Sequence, residues 1–299
     1  MWTVHLSLFL VSLFYAILFS WAGQIMPTYM NADALTLLRI GFAFVFFQIF
    51  ARLFTAEKID WKNHGKEFAI CGLLGTSGNM YLFFLGLEIT SPINASVLML
   101  FTPLFVGVFD HIRVKKRPHI GFIIGLLLAL LGSIYLVSSK TSIQYSDTWK
   151  GDILVAINAI FYALYLTRVK KLTLIYKPIT INRGTFTFGL LYLIPIGLFD
   201  LVETDWQQIP ISIAYKILYL LIFTSFFVYL LNAYAVKKAG PSLAGIYIYL
   251  QPVLATIIAI ILKTDTLKYT TAIVLVLVLI STFTATRYTP KQSKSLPQD

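Results

Sequence analysis

Charge is what this sequence has least of. Only 12% of its 299 residues are Asp, Glu, Lys or Arg, about half the share that covers the surface of an average soluble domain. That deficit excludes an ordinary soluble fold and leaves most of the surface to meet lipid. A single cysteine, Cys71, excludes an internal disulfide and any cysteine-based metal site. The histidines His5, His64, His111 and His119 fall at the ends of apolar segments or in loops, in no metal-ligand spacing. Neither a Ser/His/Asp set nor a phosphate-cradling glycine loop is present, and all 13 acids read as loop, tail or segment-end residues. An intramembrane protease or lipid-modifying enzyme would need polar catalytic groups at depth, so no enzyme, metal or cofactor is expected.

What is present is apolar. Mean hydropathy is +0.79, and near-uncharged stretches recur at about 20 residues, the length that crosses roughly 30 Å of hydrocarbon as helix. Residues 269–286 carry no charge at all. Their Val, Ile and Thr content would also suit a strand, but the length fits a spanning helix, and the alternation of a membrane barrel is absent. The expected fold is an all-α membrane protein of ten transmembrane helices, near 4–26, 34–54, 67–87, 92–110, 119–139, 152–168, 179–199, 214–236, 241–262 and 268–287. The first segment is too long for a signal-peptide core and lacks a basic start and a cleavage site, so it reads as a span. The tail 289–299, rich in Pro, Lys, Ser and Gln, reads as disordered.

The net charge of +11 could suggest nucleic acid as a partner. The basic residues instead sit in short runs between apolar segments, which is a topology signal, so no nucleic acid is expected. One set of loops and span edges, including Arg113 to Arg117 and Arg168 to Lys171, holds 17 Lys and Arg. The alternate set holds 5, namely Lys140, Lys150, Lys216, Lys263 and Lys268. Positive loops stay inside, so both termini are expected in the cytoplasm.

The chain also repeats itself. Ser91-Pro92 recurs as Gly240-Pro241 and Thr102-Pro103 as Gln251-Pro252, both 149 residues on. Phe14-Tyr15-Ala16-Ile17 recurs as Phe161-Tyr162-Ala163-Leu164, and Arg39 has a counterpart in Arg183. A shared order at a nearly constant offset points to duplication. Residues 1–140 and 141–288 would then be two five-helix repeats, and an odd number of spans inverts the second against the first. Inverted repeats are a transporter signature, with the site near the bilayer midplane where the halves meet.

Polar groups at depth are the candidate site. Pro103 and Pro252 each lie about eleven residues into a span, where proline frees the carbonyls of Met99 and Ile248. They read as a paired hinge, with a plain packing kink as the alternative. Tyr15 and Tyr162 stand far from the interface that aromatic residues with polar tips prefer, which suggests a central cavity. Asn79, Thr102, Asn158, Tyr229, Asn232, Tyr247 and Gln251 complete the set, and Tyr247 and Gln251 share a helix face. Taken alone, each of these seven reads first as a hydrogen bond to a neighbouring helix. Together they offer uncharged donors and acceptors, which suits a neutral or zwitterionic solute better than a polyanion. Arg39 and Arg183, about five residues inside their spans, read as snorkelling anchors or alternatively as a gate for carboxylates. Gly72, Gly75 and Gly78, and separately Gly121, Gly125, Ala129 and Gly132, read as surfaces for close helix approach.

Arg39, the stretch from Asn94-Ala95-Ser96 to Pro103, and the stretch from Ala239-Gly240-Pro241-Ser242-Leu243-Ala244 to Gln251-Pro252 carry a resemblance. Across essentially the whole chain the sequence resembles the EamA group of the drug/metabolite transporter superfamily. The resemblance implies ten spans, cytoplasmic termini and export of amino acids or other metabolites across a bacterial inner membrane. It also guides the choice of spans 1, 3, 4, 6, 8 and 9 as pocket walls. The expectation is a secondary transporter working by alternating access, not driven by a buried acid, with a small molecule and the lipid bilayer as partners. Its alternatives are an exporter of drug- or nucleoside-like solutes, or a non-transporting receptor or scaffold. A monomer and a homodimer both remain open.

Overall fold

The computed structural model describes residues 2–55, 57–114, 148–239 and 250–263, with further residues between 119 and 131, 244 and 248, and 269 and 280. The fifth and tenth expected spans, the stripe from Gly121 to Gly132, the Gly240-Pro241 pair and the tail from Thr289 lie wholly or largely outside the described residues.

Among the described residues every long element is a helix, and seven helices are long and apolar enough to cross a bilayer. They are α1 (Trp2–Ile25), α2 (Ala32–Phe54), α3 (Trp61–Ile89), α4 (Pro92–Leu98 with Phe101–Val114), α5 (Thr148–Ile175), α6 (Pro178–Glu203) and α7 (Ile211–Ala239). The shorter apolar helix α8 (Leu250–Ile261) falls in the ninth expected span. The fold is thus an all-α, multi-pass membrane bundle. Leu53, Leu191, Phe199 and Val202 are exposed on α2 and α6, an arrangement costly in water and natural against lipid.

Helix starts follow local chemistry. The Asn31 side chain accepts from Ala34 N at 2.9 Å and Ser91 Oγ accepts from Asn94 N at 3.2 Å, each satisfying one of the amides a helix N-terminus leaves open. Asp60 does the same for Asn63 N. The bond from the Asn63 side chain and that backbone bond hold the Asp60 carboxyl below its ordinary range. Pro92 and Pro178 occupy first-turn positions, where no amide hydrogen is missed.

Pro103 leaves no open carbonyl at Met99. The helix tightens just before it, with Leu100 N bonded to Val97 O and Thr102 N to Met99 O, both at 3.0 Å. These three-residue bonds absorb what the proline removes. The carbonyl expected to need a solute or water is therefore taken by Thr102.

Both α3 and α7 widen midway into a π segment, Leu73–Ser77 and Leu220–Phe227. A Thr-Ser pair sits in each, and the pairs are bonded alike. Thr76 and Ser77 donate to Gly72 O, while Thr224 and Ser225 donate to Leu220 O at 2.7 and 3.0 Å.

The helices pack in antiparallel pairs. On α2 and α6, Gln48 Nε2 reaches Thr187 Oγ1 at 3.2 Å near one end. At the other end a Cβ on Gly197 would lie 2.6 Å from Asp33 O. On α3 and α5, Arg168 meets Glu67 at 3.4 Å, and a Cβ on Gly151 would lie 2.6 Å from Gly86 O. On α1 and α7, the hydroxyls of Thr3 and Tyr234 stand 3.2 Å apart, while Tyr219 reaches Phe14 O at 3.4 Å. Small residues make this closeness possible, because a Cβ on Gly75 would lie 2.2 Å from the Tyr165 ring.

Candidate functional site

Arg39 lies two turns into α2, within reach of a helix end, and could have pointed its charge outward. The structure buries it to 2% exposure, so the anchoring reading fails for this residue. Its Nε donates to Ser225 Oγ at 2.8 Å and its Nη2 to Thr224 Oγ1 at 2.9 Å. Those hydroxyls spend their own protons on Leu220 O, which leaves their lone pairs for the arginine. The guanidinium carbon also stands 4.6 Å from the centre of the Phe84 ring, a distance at which the ring face attracts a cation. Arg183 is only half-buried on α6 and does not line the cavity described next.

Arg39 borders a central cavity enclosed by α1, α2, α3, α4, α5, α7 and α8. Its polar lining is Tyr15, Arg39, Asn79, Asn158, Tyr162, Tyr229 and Gln251, and its apolar lining includes Phe19, Phe83, Phe84 and Met99. Space open to the centre of a water molecule amounts to about 40 Å³, room for about three waters.

Six of the nine polar residues expected at the site line this cavity: Tyr15, Asn79, Asn158, Tyr162, Tyr229 and Gln251. The other three do not. Thr102 is fully buried in α4, and its Oγ1 has no partner among the described residues. Asn232 stands behind Tyr162 and donates to its hydroxyl. Tyr247 pairs its hydroxyl with His5 Nδ1 at 2.9 Å. Pro103 and Pro252 are buried but form no part of the lining.

The lining is held from behind. Tyr229 donates to Gly75 O at 3.1 Å, in the π segment of α3. Asn158 Nδ2 donates to Asn79 O at 2.5 Å, which fixes its amide orientation, and its buried Oδ1 has no partner among the described residues. Asn158 sits four residues before Tyr162, on the same helix face, which is the sequence signal that places it in the lining. For Arg39 the signal is its intramembrane position, where an ionisable residue marks function by default.

One of the acids expected at the span ends is nonetheless buried. Asp152 is at the end of α5 yet only 1% exposed, bonded through Oδ1 to Thr90 Oγ1 at 2.5 Å, with Oδ2 unpartnered among the described residues. The close Gly86–Gly151 crossing draws it inside. It does not line the cavity, whose lining carries one cation and no carboxylate among the described residues. Such a lining can hold a solute by charge, amides, phenols and aromatic faces.

Comparison with known proteins gives consistent relatives. A family model described as EamA-like transporter family matches residues 2–138 and again 149–287. Uncharacterized transporter YyaM of Bacillus subtilis is 27% identical over 232 residues, covering 77% of this chain and 75% of that protein. An Uncharacterized transporter of Archaeoglobus fulgidus is 29% identical over 216 residues, covering 71% and 74%. WAT1-related protein At3g28100 of Arabidopsis thaliana is 23% identical over 66% of this chain and 64% of its own. A crystal structure of a protein shares the fold, with TM-score 0.64 at 18% identity over 94% of this chain and 98% of that one.

Proposed function

The chain belongs to the EamA-like transporter family, and from that premise we propose that it moves a small metabolite through the central cavity by alternating access. One observation carries the reading. A polar cavity bordered by the cation of Arg39 lies at the meeting point of seven helices with apolar residues on their outer faces. Binding sites of secondary transporters occupy this kind of place. The solute is a small neutral or zwitterionic metabolite such as an amino acid, exported or exchanged across a bacterial inner membrane with both termini in the cytoplasm. The phenylalanines of the lining, with Phe19 and Phe83 edge to face at 5.3 Å, favour as a second reading a drug- or nucleoside-like solute with an aromatic ring.

The two halves act as inverted five-span repeats, 1–140 and 141–288. Three features support this: the antiparallel pairing of α2 with α6, the π segments with matching Thr-Ser pairs, and a family model that fits the chain twice. Rocking one half against the other would open the cavity to each side in turn.

The test is counterflow in vesicles reconstituted with the purified protein and preloaded with a mixture of amino acids and nucleosides. Saturable uptake of at least one labelled solute, absent from protein-free vesicles, is expected. Folded protein that moves none of them would refute the reading.

A further inference from the structure

Resting on that reading of the cavity, we propose that the transported solute carries a carboxylate and that Arg39 holds it. The residue is 2% exposed in the middle of a membrane bundle, where an unpaired charge is expensive and normally finds a counter-charge. Here none is supplied. Among the described residues no carboxylate lies within ion-pair distance of Arg39, and its hydrogen-bond partners are the neutral hydroxyls of Thr224 and Ser225. A guanidinium has five N–H donors, and those two bonds use Nε and one hydrogen of Nη2. Both hydrogens of Nη1 and the second of Nη2 are left without a partner among the described residues, and Arg39 lines the cavity.

The other half of the fold has a matching Thr-Ser pair without the cation. Thr76 and Ser77 donate to Gly72 O just as Thr224 and Ser225 donate to Leu220 O. Facing Thr76 on α6 are Thr185 O at 3.2 Å and Gly189, not a guanidinium. A π segment with its two hydroxyls therefore closes its own hydrogen bonds without an arginine. The cation at Arg39 serves something beyond the helix, and the cavity it borders is the space open to it.

Charge balance selects the group it holds. One guanidinium, with no acid among the described lining residues, neutralises one negative charge, so a monoanionic carboxylate fits, whereas a dianionic phosphate would leave net charge inside the membrane. The planar fork of arginine also matches a carboxylate edge with two parallel bonds. Asn158 Oδ1, buried and without a partner among the described residues, is an acceptor in the same lining. It can receive an N–H or O–H from the substituent on the carbon next to that carboxylate, so 2-hydroxy acids, whose single charge Arg39 neutralises, fit in full, and amino acids fit with their ammonium donating to Asn158 Oδ1.

Counterflow in reconstituted vesicles tests this, with protein-free vesicles as blank and three probe sets sharing side chains: amino acids, the corresponding 2-hydroxy acids and the corresponding amino-acid amides. We expect protein-dependent flux of at least one carboxylate probe and at least tenfold less of its amide. Arg39→Gln should lower the carboxylate flux about tenfold or more, since a bond to a charged group is lost, and Arg39→Lys should restore part of it. Should Arg39→Gln fail to fold, the carboxylate-to-amide ratio of the wild type decides alone. Amides moving as fast as the acids, or folded Arg39→Gln retaining full carboxylate flux, would overturn the role of Arg39 and leave the transporter reading standing. No flux of any probe through folded wild type would bring down both.

Discussion

Gln251 and Tyr229 both border the cavity, and the structure gives them different work. Gln251 is 5% exposed, faces the cavity from α8 and makes no hydrogen bond with the described residues. Its amide is free for a solute, and Gln251→Leu should cost about 0.5–1.5 kcal/mol of binding. That appears as a roughly 2- to 12-fold rise in KM for flux, with an unchanged melting temperature in detergent. Tyr229 spends its hydroxyl on Gly75 O. Removing it in Tyr229→Phe deletes that bond, and melting should reveal a loss of about 0.5–1.5 kcal/mol of stability. If Tyr229→Phe melts like wild type, the hydroxyl does not hold the π segment of α3.

At this scale the sequence was readable where position alone decides. Tyr15 and Tyr162 could be expected in a cavity because phenols at mid-depth need polar company. Thr102, Asn232 and Tyr247 looked equally good by depth, yet depth does not give rotation about the helix axis, and they turned to neighbours instead. Arg39 was ambiguous for another reason. A long side chain near a helix end can reach outward or inward, and only the Thr-Ser pair on α7 decides which.

Among the elements, α3 shows how small residues set helix spacing. Gly75 meets the Tyr165 ring so closely that a Cβ would lie 2.2 Å from Cδ2 and 2.5 Å from Cγ. The ring cannot retreat cheaply, because Cγ is tied to its backbone through one carbon. Gly75→Leu should push α5 away, destabilising the bundle by about 1–3 kcal/mol or more and lowering the monodisperse yield in size-exclusion chromatography. A well-behaved Gly75→Leu protein with native flux would contradict the packing of α3 on α5. The glycine spacing of Gly72, Gly75 and Gly78 was legible in the sequence as a close-packing surface. The π segments were not, since an extra residue in a helical turn leaves the hydropathy pattern intact. Their signal was the Thr-Ser pair that recurs 148 residues on, at Thr76-Ser77 and Thr224-Ser225.

The whole molecule is an all-α, multi-pass membrane bundle, with Arg39 and Asp152 among the charged residues buried inside it. The distribution of Lys and Arg, 17 against 5 between alternate loops, predicts the orientation. In a Cys71→Ser background, Ser293→Cys should react with an impermeant thiol reagent only after the cytoplasmic face is opened. Labelling of intact cells from outside would reverse the topology. The all-α class followed from scarce charge and 20-residue apolar runs, and the cavity walls drawn from spans 1, 3, 4, 6, 8 and 9 match α1, α3, α4, α5, α7 and α8. Only α2, which brings Arg39, was left out.

The central claim is that solute passes through this cavity, and accessibility of Gln251 tests it most directly. Gln251→Cys, again in the Cys71→Ser background, places a thiol where solute would sit, while the native Cys71 is buried elsewhere. A small impermeant thiol reagent should block counterflow when added from either side in turn, and excess transported solute should slow the reaction. A thiol that reacts from neither face, or a fully modified protein that transports at the original rate, would contradict the account.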